Sequence, residues 1–79
     1  MTAKQTAREL YDERREDIAR VLDWIDLELD THKTSAEANP KDWGYAGDLG
    51  HAREKLIETL AFLSNSETDE IENLLSECR

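Results

Sequence analysis

Few residues of this chain have the type and spacing that chemistry needs. The softer metal ligands are His32, His51 and Cys78, and each falls on a different predicted element. Asp48-x-x-His51 has the one-turn spacing of di-iron helical bundles, but those centres need two such motifs and further carboxylates. A metal role is therefore not expected, and the pair reads as a helix surface. Nucleophilic catalysis holds a Ser, Cys or Thr against a His and an orienting acid. Cys78 is the penultimate residue, with Arg79 as its one positive neighbour, and reads as a small buried or half-buried hydrophobe. The stretch Trp43-Gly44-Tyr45-Ala46-Gly47-Asp48-Leu49-Gly50 lacks the strand and the Lys-Ser/Thr that frame a phosphate loop, and Asp48 would repel phosphate. Its glycines read instead as positions where a second helix approaches closely. The expectation is a non-enzymatic protein with no catalytic, cofactor or metal site.

Whatever these residues do, a small acidic chain must position them. With 79 residues, a 38% hydrophobic content and 37% charged residues, the chain affords one domain with a small core. Net charge is −9, spread as −3 over residues 1–33, −2 over 34–63 and −4 over 64–79. Such a field repels nucleic acid and anionic membrane, so direct binding to either is not expected; a basic protein would be attracted. A lone cysteine excludes an internal disulfide and a cysteine-built zinc site. Together with the absence of an apolar run in the first twenty residues, this leads to the expectation of a cytoplasmic protein.

Periodicity assigns the elements. Over residues 6–33, Ala7, Leu10, Tyr11, Ile18, Val21, Leu22, Ile25 and Leu29 fall within roughly 120° of helical arc, the width of a core-facing stripe. Arg14 sits near the middle of that stripe, where it lies flat and reaches solvent, pairs with an acid or meets a partner. Residues 34–42 read as a loop, with Asn39 as N-cap and Pro40 as first residue of a second helix that is firm over 45–63. One face of that helix carries Tyr45, Leu49, Ala52, Leu56, Thr59, Leu60 and Leu63; a second carries Ala46, Gly50, Ile57 and Ala61. Two apolar faces call for two neighbours. After a break at Ser64-Asn65-Ser66, Ser66 and Asp69 resemble a capping box, and a third helix over 67–78 carries Ile71, Leu74, Leu75 and Cys78. The fold class that follows is all-α: a small antiparallel three-helix bundle in a single domain, 1–79, with a long first helix, a central second helix and a short C-terminal helix.

The function class follows from what this arrangement leaves on the surface. Leu27 points almost opposite the first stripe, Trp24 flanks it, and Phe62 lies outside both faces of the second helix. Aromatic residues are favoured interface anchors, so Trp24, Leu27 and Phe62 are the candidate interface. The expected role is a protein–protein interaction or regulatory module whose partner is another protein or a second copy, a homodimer, since the long first helix overhangs its shorter neighbours. The alternative is an acidic blocker of a nucleic-acid-binding protein, a nucleic-acid mimic of the kind phages and mobile elements encode. It rests on Asp23, Asp26 and Asp30, which line one side of the first helix near its expected C-terminal end, where negative charge opposes the macrodipole.

Overall fold

A computed structural model describes residues 5–79. The described residues are all-α, with three helices among them: α1 (Ala7–Ala38), α2 (Trp43–Ser64) and α3 (Thr68–Glu77). It divides into two compact units, Met1–Asn39 and Pro40–Arg79. No helix among the described residues is long and apolar enough to cross a membrane.

The first unit is α1. Its start is fixed by a reciprocal capping box: the Thr6 hydroxyl accepts from the Glu9 amide, and the Glu9 carboxylate accepts from the Thr6 amide, each at 3.1 Å. Two of the amides left over at a helix start are satisfied this way. Hydrogen bonding holds the Glu9 carboxyl below its ordinary value, first from the Thr6 amide and then from the Thr6 hydroxyl. At the other end α1 runs five residues past the expected boundary at 33, so most of the expected 34–42 loop is helix. Alanine at 36 and 38 favours helix, and the Thr34 hydroxyl bonds back to the Asp30 carbonyl at 3.2 Å instead of competing for a turn. Pro40 sets the end, because the residue before a proline is pushed out of helical geometry. Asn39 is accordingly the C-cap of α1, not the N-cap of α2; its side-chain amide donates to the Ser35 carbonyl at 3.0 Å.

The second unit is α2 and α3. Asp42 takes the capping role expected of Asn39, accepting from the Gly44 amide at 2.8 Å, and places its carboxylate at the positive helix end. α2 therefore begins at Trp43, two residues before Tyr45. It stops at Asn65, whose φ of 58° lies in the left-handed region that asparagine tolerates better than most residues. The Ser66 amide closes the end by donating to the Ala61 carbonyl at 3.0 Å. The expected Ser66–Asp69 box is not formed. The N-cap of α3 is Glu67, without a side-chain bond, and the Ser66 hydroxyl instead accepts from the Ser64 hydroxyl at 3.0 Å. Asp69 and Glu70 still occupy the first turn of α3, where negative charge is favourable.

After Asn65 the chain folds back, and Ile71 of α3 meets Ile57 and Ala61 of α2, with Leu75 partly buried beside them. Ile57, Ala61 and Ile71 are the buried hydrophobic residues of the described chain. The Ile57/Ala61 face of α2 thus finds its expected neighbour. Cys78, expected to be a buried or half-buried hydrophobe, is exposed.

Candidate interaction surface

α1 has the apolar stripe read from the sequence, yet it holds no buried residue. Ile18, Val21, Leu22 and Leu29 each keep 43–50% of their surface exposed, and Tyr11 63%. Leu10, Ile25, His32, Ser35 and Ala36 are half-buried. The expectation that this stripe faces a core is therefore corrected: periodicity shows which side of a helix is apolar, not what covers it. Arg14, in the middle of the stripe, is exposed.

The spacing of the stripe is specific. Tyr11, Ile18, Ile25 and His32 recur every seven residues, and Arg15, Leu22, Leu29 and Ala36 do so four positions on. Alternating steps of four and three residues make the seam along which two helices supercoil. The seam is most apolar from Ile18 to Leu29 and extends to Ala36 because α1 does. The two halves of α1 differ in charge: Arg8, Arg14, Arg15 and Arg20 of the first half lie among Glu9, Asp12, Glu13, Glu16 and Asp17, whereas the second half sets Asp23, Asp26, Glu28, Asp30 and Glu37 against Lys33 alone.

Of the residues expected to mark an interface, Trp24 and Leu27 stand one turn apart on α1, both exposed, and Phe62 lies on α2 in the other unit with 83% of its surface exposed. Asp23, Asp26 and Asp30 are also exposed. Because α1 continues to Ala38, Asp30 lies two turns from the helix end, and the macrodipole acts only within about the last turn. The electrostatic cost that singled these acids out is thereby removed. Trp43, exposed over 84% of its surface, was not expected: as the first residue of α2 it precedes the periodic run that draws attention to the others. Leu49, Leu56, Leu60 and Leu63 of α2 also stay exposed, so within the second unit one of its two apolar faces is covered and the other is open.

The second unit has a shallow groove lined by Gly50, Arg53, Glu54, Ile57, Glu58, Thr68 and Glu72. Two of these lining residues form a forked ion pair in which Arg53 donates to both carboxylate oxygens of Glu72. The pair raises the Arg53 pKa and lowers that of Glu72, in each case chiefly through the side-chain hydrogen bond. Asp48 and His51 are both exposed on α2, and among the described residues no three His, Cys, Asp or Glu side chains cluster as metal ligands do. The glycines at 47 and 50 have nothing within 4 Å of where a Cβ would stand, so α3 makes no close approach there within the second unit. No protein-family model matches the sequence, and neither a curated protein nor a solved structure is significantly similar to it.

Proposed function

We propose that this protein is a small, acidic, non-enzymatic interaction module that docks a protein partner on the apolar stripe of α1. The observation that carries this reading is a heptad-spaced seam on a helix of 32 residues without one buried side chain. An amphipathic helix in water gains most of its stability from tertiary packing of its apolar face, and a stripe of this length left wet is an interaction surface in waiting. Trp24, beside the stripe, supplies an aromatic contact at its edge.

The test is capture of proteins from the source cells with the full chain as bait, at low and high salt, beside the double variant Leu22→Asp, Ile25→Asp. Docking on the stripe predicts a co-eluting protein, either another chain or untagged copies of this one, that survives high salt and is lost with the variant. A blocker acting through Asp23, Asp26 and Asp30 would instead release a basic protein as salt rises and would tolerate the variant. Capture that ignores both changes contradicts the reading.

A further inference from the structure

We infer that the occupant of the α1 stripe is a second copy of this chain, its α1 running antiparallel; this deepens the docking reading and rests on it. The seam from Tyr11 to Ala36 is about 39 Å long at 1.5 Å per residue. Two copies related by a twofold axis can place Leu22 against the partner's Ile25 and Ile18 against the partner's Leu29, giving four apolar layers at the centre. In that register Tyr11, the largest seam residue, meets the partner's Ala36, the smallest. Large against small is how facing positions of a packed seam interdigitate.

Charge decides the direction. A parallel pair would set Arg8 on Arg8 and Arg15 on Arg15, on either side of the Tyr11 layer, like charges in contact. The antiparallel pair separates the arginines: Arg15 lies beside the partner's His32, one helical turn from the partner's Glu28. Flanking positions agree. Asp12 faces the partner's Lys33, and the symmetry repeats that contact. Asp12 already has Arg8 at 3.6 Å along its own helix, so Lys33 completes a three-charge cluster of alternating sign. The twofold repeats each of these opposite-sign pairs, so the flanks of the seam are locally complementary to themselves, as a twofold interface requires.

The experiment uses the full chain in a Cys78→Ser background carrying either Ile18→Cys or Leu29→Cys, with circular dichroism to verify helicity. Under mild added oxidant the two variants should form a disulfide-linked dimer when mixed and little when alone. Light scattering on the unaltered chain should give twice 9.1 kDa, and Leu22→Asp should weaken the dimer by at least about 30-fold. Equal cross-linking of each variant alone would overturn the antiparallel pairing, and a 9.1 kDa species at every concentration would overturn self-association. A monomer that still captures another protein, and loses it with Leu22→Asp, Ile25→Asp, would overturn this inference while leaving the docking face in place. A monomer that captures nothing would remove both.

Discussion

Arg53 on α2 grips Glu72 on α3 through both carboxylate oxygens, a contact between residues nineteen positions apart in the chain. It stands one turn before Ile57, so the small α2–α3 core is flanked by a polar clasp. Two parallel N–H···O bonds fix geometry as well as charge, and the half-exposed setting leaves the pair open to screening by salt. The Arg53 hydrogen bond holds the Glu72 carboxyl below its ordinary 4.5. Such a group stabilises the fold above the unfolded-state value, and that contribution is lost as pH falls through the lower folded-state value. Thermal unfolding at neutral pH should therefore show the unaltered chain ahead of Glu72→Gln, with the gap closing below about pH 4.5. A gap that persists in acid would assign the difference to another contact.

The capping box at Thr6 and Glu9 should be separable from the docking stripe. Thr6→Ala should destabilise α1 by about 1 kcal/mol, seen as faster amide exchange confined to its first turns. Circular dichroism of the remainder and the dimer mass at high concentration should be unchanged. Exchange that quickens evenly along α1 would show that the box governs the whole helix.

Ile71 is the one buried contribution of α3. Ile71→Ala should cost about 2–3 kcal/mol, toward the lower end for a buried aliphatic because the core around it is small. α3 cannot hold a helix of this length by itself, so exchange across residues 68–77 should rise to that of an unfolded segment. Protection retained there would mean that Leu75 or the Arg53–Glu72 pair suffices to dock α3.

Gly47 and Gly50 are helical and face open space. Gly47→Ala and Gly50→Ala should each stabilise α2 by up to about 1 kcal/mol, read from urea unfolding. If either lowers stability, a backbone must approach these positions closely in solution.

Much of this architecture was legible in the residues themselves. The seven-residue recurrence of Tyr11, Ile18 and Ile25 fixes the apolar side of α1, and the Ile57/Ala61 face of α2 finds the neighbour its composition demands. Helix ends were less legible, because several residues compete for each cap. Asn39-Pro40 fits the start of one helix and the end of another, and Thr34-Ser35 satisfies a loop or, with back-bonding to the preceding turn, a helix. Ser66-x-x-Asp69 fits a capping box, but the chain had already used Ser66 beside Ser64 to leave α2. The apolar stripe of α1 was legible in its residues but not in its exposure: periodicity places Leu22, Ile25 and Leu29 on one face of a helix and is blind to what lies opposite. Thr6-x-x-Glu9 carried a readable capping signature at the start of α1, whereas Arg53 and Glu72 are joined by a fold-back that no local pattern encodes.

Amide hydrogen exchange along α1 tests the docking face most directly, since a helix with no buried side chain frays quickly unless its apolar face is covered. At high protein concentration, or with a captured partner added, amides across residues 18–36 should be strongly protected. Leu22→Asp, Ile25→Asp should abolish that protection while leaving exchange over 53–75 unchanged. Protection of α1 that is indifferent to concentration, to partner and to this variant would contradict the account.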